Sequence, residues 1–495
     1  MKKSGWGTKV MIAAVLLLIM SVTACSGMGT DTSAKTVKLD PKNPVSVTVW
    51  HYYNGPQQVV FDEMLTEFNN TVGNEKGIFI QGKGQGDVSQ LEEAVMAALN
   101  NQVGSEDMPN IYSSYADTAY AVEQMGQLAD ISQYLTEEEL AAYVDSYIEE
   151  GKIGLNGELR IFPIAKSSEI FMMNKTDWDK FAAATGADVS SLSTKEGLAE
   201  TAKAYYEWTD SLTPDIPGDG KSFYGRDAMA NLFIIGSMQL GVELFEVNNG
   251  QVTLHVDRDV MRKIWDYYYA NYIRGYFGAY GRFRSDDVKI NEIIAFTGST
   301  TSSMYFPDEV ELEEGSYPID YMVLTEPLFA NGEKYVVQQG AGMVVTKADP
   351  AAEYASVLFL KWLTEKENNL EFSVSSSYLP VRKDAYDMEI FDRVIAEKQI
   401  EVSDKTYDTI ALVIDNIQDY TLYTNKAFDG GSEARKVLDS HMTDKAAADR
   451  EAVLEQLRAG VTMEKATAEF LTDEAFEEWF ADFSAALQSA VQGAN

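Results

Sequence analysis

Cysteine is nearly missing from this chain: Cys25 is the only one among 495 residues. Its isolation excludes an internal disulfide, a thiolate zinc site, an iron–sulfur cluster and a cysteine nucleophile in the globular body. Histidine is almost as scarce. His51, His255 and His441 lie far apart, and no His-Glu-x-x-His pair is present to hold zinc. Basic residues are few against acidic ones, 40 Lys+Arg to 77 Asp+Glu, a formal net charge of −37. That balance argues against nucleic acid as a partner, while saying little about a pocket. Past Met20 no run is apolar enough to span a membrane. A G-x-S-x-G elbow and a G-x-G-x-x-G fingerprint beside a strand are also missing. Gly220-Lys221-Ser222 imitates the end of a phosphate loop, but Asp215 stands where the leading glycine belongs. As a calcium loop the same stretch fails, with Pro217 in a ligand place and Arg226 instead of glutamate at the twelfth position. No cofactor and no metal are expected.

The first 25 residues are informative. Lys2, Lys3 and Lys9 precede the apolar run Val10 to Met20, and small residues lead to Cys25, the pattern of an export signal. Val22-Thr23-Ala24-Cys25 resembles the lipobox of bacterial lipoproteins, which implies a signal peptide over 1–24 and lipidation of Cys25. Several acyl chains would hold the protein at the membrane. Residues 25–44 are mostly Ser, Thr, Gly, Asp and Lys and read as a flexible tether, about 24 Å in average span. With 45% hydrophobic and 11% aromatic residues, the remainder is composed to fold, and its length favours two or more lobes.

Val45-Ser46-Val47-Thr48-Val49-Trp50 alternates as a strand buried on one face does. Pro56 suits a first helical position, and Phe61, Met64, Leu65 and Phe68 share a helical stripe. A second strand, Gly77 to Ile80, leads into a glycine-rich loop over 82–86. Ser89 with Glu92 makes a capping box opening a helix, and Asn110-Ile111-Tyr112 makes a third strand. This alternation predicts an α/β fold with a largely parallel sheet whose ligand rim lies beyond the strand carboxyl ends. Trp178 to Phe277 reads as mostly helical, and the segment from Asp404 onward as almost wholly so.

Several segments in order carry a resemblance. Val47-Thr48-Val49-Trp50-His51, Met108-Pro109-Asn110-Ile111-Tyr112, Pro163 to Ile170 with Asn174-Lys175, and Tyr378-Leu379-Pro380-Val381 together resemble the family 1 extracellular solute-binding proteins of ABC importers, the maltose- and glycerol-phosphate-binding type. In two places the chain departs from the family pattern. Met172-Met173 stands where a Tyr-Tyr pair is common, and Ser377 replaces the glycine of Gly-Tyr-Leu-Pro. The resemblance implies a two-lobed, periplasmic-binding-protein-like α/β fold of type II with a helical C-terminal part. Its chain crosses between lobes three times, here near Ile161, Asn291 and Thr346. The expected lobes are 45–160 with 292–346, and 161–291 with 347–495. The implied protein is a monomer on the outer face of the cell membrane, not an enzyme, which binds a small solute, a sugar or oligosaccharide, and delivers it to permease subunits.

A sugar presents hydroxyls around apolar C–H faces, so its cleft needs fixed polar groups and aromatic walls. The expected first-lobe contacts are His51, Tyr53, Asn54, Asp87, Ser113, Ser114, Tyr115 and Asp117. Ser168, Glu169 and Tyr378 are expected from the hinge and second lobe, and Tyr305, Phe306 and Trp265 as aromatic surfaces. Gly340 and Gly342 are expected to bring backbone N–H groups close to the ligand. Asp87 also has a structural reading as a helix cap, and the aromatic run Tyr267 to Tyr269, beside Trp265, reads as helix packing. Two other functions stay open: a surface glycosidase using two carboxylates, and a binder of a phosphorylated polyol, for which Arg382 is the one candidate cation. A lipoprotein that adheres to a surface partner is a further class.

Overall fold

The computed structural model describes residues 34–492 other than 155, 217 and 249. The signal peptide, Cys25 and its lipidation lie outside the described residues. The last part of the expected tether, 34–44, is not free. Lys35 N–H donates to the Gln133 carbonyl at 2.7 Å, and Leu39 packs against the first-lobe core. Lys35 also reaches the Tyr134 hydroxyl at 3.4 Å, so backbone, side-chain and apolar contacts together dock this stretch.

Two sheets organise the chain. Their strands are β1 (Val45–His51), β2 (Ile78–Gly84), β3 (Ile111–Ser114), β4 (Ile161–Phe162), β5 (Glu169–Asn174), β6 (Tyr224–Arg226), β7 (Ala295–Ser299), β8 (Tyr321–Thr325) and β9 (Gly342–Val345). The first sheet runs β2-β1-β3-β9-β4. Its β1, β2 and β3 are parallel, and β9 is antiparallel to both neighbours. Alternation along β1 sends Val47 and Val49 to one face and Trp50 to the other. The first face is covered by α1 (Gly55–Phe68) through Phe61, Met64 and Phe68. The second is covered by α2 (Val88–Leu99) and α3 (Ala116–Gln124) through Leu91, Val95 and Val122. The expected glycine loop is partly strand. Gly82 and Gly84 lie in β2, and a Cβ at Gly82 would strike the Leu65 side chain, so glycine is needed there for close packing.

The second sheet runs β8-β5-β7-β6, with β5 antiparallel to β7 and β8 and β6 parallel to β7. Both sheets are therefore mixed where a largely parallel one was expected. Met172 and Met173 face opposite sides of β5, each without exposed surface, so neither reaches a ligand. On one face α4 (Met229–Gln239) and α5 (Arg258–Tyr267) build the largest core. The chain then returns to the first lobe, where α6 (Pro350–Leu363) and α7 (Lys366–Ser376) pack Phe359, Leu360 and Phe372 beside α1. Helix α8 (Asp404–Asn416) sends Ile410 and Ile414 toward α7 and Val413 toward β8. Finally α9 (Gly431–Arg458) and α10 (Asp473–Gln492) join the second-lobe core.

The expected lobe boundaries need correction in three places, the first being that β4, at the expected start of the second lobe, pairs with β9 in the first sheet. Segment 292–325 belongs to the second sheet, because β7 and β8 pair with β5, and α6 and α7 belong to the first lobe instead of the second. The crossings move accordingly. The first is at Ser167 and the second at Gln339, each donating its N–H to the other's carbonyl, at 2.9 and 3.0 Å. The third is the helical stretch 388–416. Ile161 and Thr346 lie in or beside the first sheet, and Asn291 in a second-lobe turn.

Candidate functional site

The hinge is a tight polar seam. Lys166, 1% exposed, donates from Nζ to Glu150 Oε2 at 2.7 Å and to the Gly340 carbonyl at 2.8 Å. Ser168 Oγ donates to the Val337 carbonyl at 2.8 Å. Gly340 has φ +99°, and a Cβ there would sit 3.2 Å from the Ala165 carbonyl. A Cβ at Gly342 would meet Ile161 and Phe162. Ser168, Gly340 and Gly342, expected as ligand contacts, are thus occupied in holding crossing strands together.

Beside the seam, the first lobe gathers tyrosines. Tyr53 packs between His51 and Phe372, at 5.4 Å from each, and Tyr378 stacks on Phe372. The hydroxyls of Tyr52, Tyr53, Tyr115 and Tyr378 lie close enough to influence one another. Burial raises each above the usual phenol value, with neighbouring tyrosines adding to the rise at Tyr52, Tyr53 and Tyr378, while at Tyr115 Arg435 and Tyr52 oppose it; all four stay O–H donors. Tyr115 is the most open, at 39% exposure. His51 is buried and held neutral, its pKa lowered by desolvation against a smaller pull from Asp62; it packs under the tyrosines. Asn54 is exposed at the start of α1, while Ser113 and Ser114 are buried in β3, with Ser114 Oγ bonded to the Tyr115 carbonyl. Asp87 caps α2, accepting from Gln90 N–H at 2.9 Å in a reciprocal capping box. The expected Ser89–Glu92 box is displaced by two residues, and Glu92 instead accepts from Thr118 at 2.8 Å.

The second lobe meets this wall with a buried ionic chain. Arg226 donates to Glu169 Oε2 at 2.8 Å and to Glu326 Oε1 at 3.2 Å, and Lys195 also reaches Glu326 at 3.2 Å. Asn231 Nδ2 donates to the other Glu169 oxygen at 2.8 Å and to Gln339 Oε1 at 3.0 Å. Arg435, at the start of α9, donates to Asn231 Oδ1 at 2.9 Å. Burial pushes Glu169 up to about 7 in spite of Arg226. For Glu326 burial pulls upward too, but Lys195 and Arg226 outweigh it and hold the carboxyl below its ordinary value. Glu169, expected as a ligand contact, is buried with both oxygens engaged by Arg226 and Asn231. Tyr305 is 56% exposed and its hydroxyl influences Tyr378, so it approaches the tyrosine cluster. Its neighbour Phe306 does not; it is buried on Phe296. Trp265 also lies elsewhere, in the core between Tyr269 and Trp479. Arg382, the candidate phosphate contact, is paired with Asp384.

Tyr52, Asn231, Gln339 and Arg435 were not found by sequence reasoning. One signal was present: Gly430-Gly431 announces a helix start four residues before Arg435.

Asp117 lies against α9: a Cβ on Gly431 would be 2.5 Å from its Oδ1. Burial raises its pKa to about 6, with Arg435 opposing the rise and Glu92 and Glu433 adding to it. Since the folded form holds this proton up to about pH 6 and an unfolded Asp only to about 3.8, folding takes up a proton between these values. Stability contributed here is expected to fall as pH rises from about 4 to about 6, and Asp117→Asn to flatten that slope. Paired melting curves over that range test this. Parallel pH profiles for parent and variant would refute it.

Among the described residues no helix is long and apolar enough to cross a membrane, and no three His, Cys, Asp or Glu side chains are placed to hold a metal ion.

A family model described as bacterial extracellular solute-binding protein matches residues 63–401. No curated protein matches the sequence. Among solved structures, the cyclic alpha-maltosyl-1,6-maltose binding protein from Arthrobacter globiformis is similar over 91% of this chain and 100% of its own, with TM-score 0.65 and 16% identity. UgpB from Mycobacterium tuberculosis, in complex with glycerophosphocholine, is similar over 91% and 99%, with TM-score 0.64 and 16% identity. The substrate-binding protein Lmo0181 from Listeria monocytogenes, in complex with cycloalternan, follows at 90% and 100%, TM-score 0.61 and 14% identity.

Proposed function

The chain belongs to the bacterial extracellular solute-binding proteins, and from that premise we propose that it captures a sugar or short oligosaccharide for an ABC importer by shutting its two lobes around it. The observation that carries this reading is the placement of the tyrosine hydroxyls of one lobe beside Tyr305 and Arg435 of the other, next to a hinge of paired strands. Phenol O–H groups and ring edges suit a polyhydroxylated solute, which offers hydroxyls and C–H faces together. Glu92 and Glu433 act on Asp117, and Glu92 and Glu150 on Tyr115; with Lys166 already paired to Glu150, Arg435 is the cation left at this wall among the described residues, a balance that disfavours a phosphorylated polyol. Ligand stabilises the shut form only because it touches both lobes.

We propose further that Cys25 is lipidated and keeps the receptor at the outer face of the membrane, where it works as a monomer beside its permease. The support is the Val22-Thr23-Ala24-Cys25 motif.

A thermal-shift screen of the soluble chain from Ser26, which contains every described residue, tests the binding reading. The panel is neutral mono-, di- and trisaccharides including maltotriose, polyols, and their phosphates. A neutral sugar at a hundred times its Kd is expected to add about 2.7 kcal/mol, a rise of about 5–10 °C in domains of this size. The sugar is expected back intact, which separates a receptor from a glycosidase. No shift across the panel, or a shift with phosphates alone, overturns the proposal.

A further inference from the structure

Arg435, on the C-terminal helix α9, is bonded to the hinge network and lies on a helix face that meets the opposite lobe. Its tether is on the second-lobe side, through Asn231 to both Glu169 and the hinge residue Gln339. Its position along α9 places it four residues after Gly431 and so on the same helix face, the face against which Asp117 of the first lobe is packed. Tyr115 also senses its charge. The guanidinium carries five N–H donors, and its hydrogen bond among the described side chains goes to Asn231; the next contact, to Asp439, is a loose 4.0 Å. Its side chain keeps 42% of its surface accessible.

We propose that Arg435 is a specificity-determining residue that reaches across the cleft, pairing with Asp117 when the lobes close and giving its spare N–H donors to hydroxyl oxygens of an uncharged solute. The second half of this proposal rests on the sugar-receptor reading; the first half does not. Asp117, the acidic group nearest its face of α9, feels the charge of Arg435 together with those of Glu92 and Glu433, so an anionic solute would meet these carboxylates as well as the guanidinium, and the spare donors suit oxygen atoms that carry no charge. Asn231 fixes the planar group from behind, so donors are presented without first being ordered, which lowers the entropic cost of binding.

The test uses two readouts on the soluble chain from Ser26, which lacks cysteine. Val103→Cys in the first lobe and Leu212→Cys in the second, both at exposed positions, carry spin labels that report the interlobe distance without ligand. Arg435→Gln is expected to shift the closed-to-open ratio about two- to fivefold toward open, and Asp117→Asn to add nothing further in the double variant. An unchanged distance distribution in Arg435→Gln overturns the proposal, whatever the screen finds. The second readout is affinity for maltotriose, or for whichever neutral sugar of the panel shifts the parent more. Arg435→Gln is expected to weaken it about 10- to 100-fold, Arg435→Lys to recover only part, and the melting point of the empty protein to stay within about 2 °C. Affinity equal to the parent's, or a loss matched by an equal loss of stability, refutes the role. If no sugar binds the parent, the receptor reading fails, and the distance measurement alone decides whether Arg435 pairs across the lobes.

Discussion

Replacing Arg226 with leucine is expected to destabilise the protein by about 3–5 kcal/mol. Arg226 is 4% exposed and is shared between Glu169 and Glu326. Without it two buried carboxylates face each other with Lys195 as the remaining cation, and of the two Lys195 hydrogen-bonds Glu326 and not Glu169. A lost partner is costlier than the pair is valuable, because the charge left behind still bears its desolvation cost. Glu169, already raised to about 7 with Arg226 beside it, is expected to take up a proton. The variant should therefore lose further stability as pH rises through neutrality, where its folded form binds more protons than its unfolded one. Urea or thermal melts at pH 6, 7 and 8 measure this, with a fall of about 6–20 °C expected at neutral pH. Adding Glu169→Gln should recover part of the loss. A single variant within about 1 kcal/mol of the parent would show that the chain of charges does not hold the second lobe together.

Trp265→Ala is expected to cost about 3–5 kcal/mol as well, and to leave ligand affinity alone. The indole, 1% exposed, lies against Tyr269, Phe476 and Trp479, so its loss opens a cavity at the join of α5 with α10. Stability and affinity must be measured together, since a cleft residue would show the opposite pattern. If sugar binding weakens while the melting point holds, Trp265 reaches the ligand and its placement in the core is wrong.

Much of the local structure is legible in the sequence. Alternation announces β1, the Phe61–Phe68 stripe announces α1, and Asp87 is readable as a cap because a short carboxylate before a helix satisfies free N–H groups. The family resemblance likewise rests on short segments in fixed order. Ser377 illustrates the limit. Its place after α7 needs φ +55°, which accounts for the glycine usual there, but its hydroxyl lies 3.0 Å from Thr406 on α8, a contact that no local pattern discloses. The site is less legible than the elements. Tyr115, Tyr305 and Tyr378 do gather near one another, whereas Trp265 and Phe306 have the right chemistry and point into cores. An aromatic residue reads the same in either setting, since its apolar ring serves a core and a cleft alike.

By itself the sequence determined elements such as β1 and α1, the excess of acidic residues and the family, because these depend on residue type and spacing over a few turns of chain. Only the tertiary structure decided that β7 and β8 join the second sheet, that α6 and α7 return to the first lobe, and that Arg435 stands opposite Asp117. Strand pairing and lobe contact join residues hundreds of positions apart, and the backbone hydrogen bonds that select a partner are nearly the same for every strand.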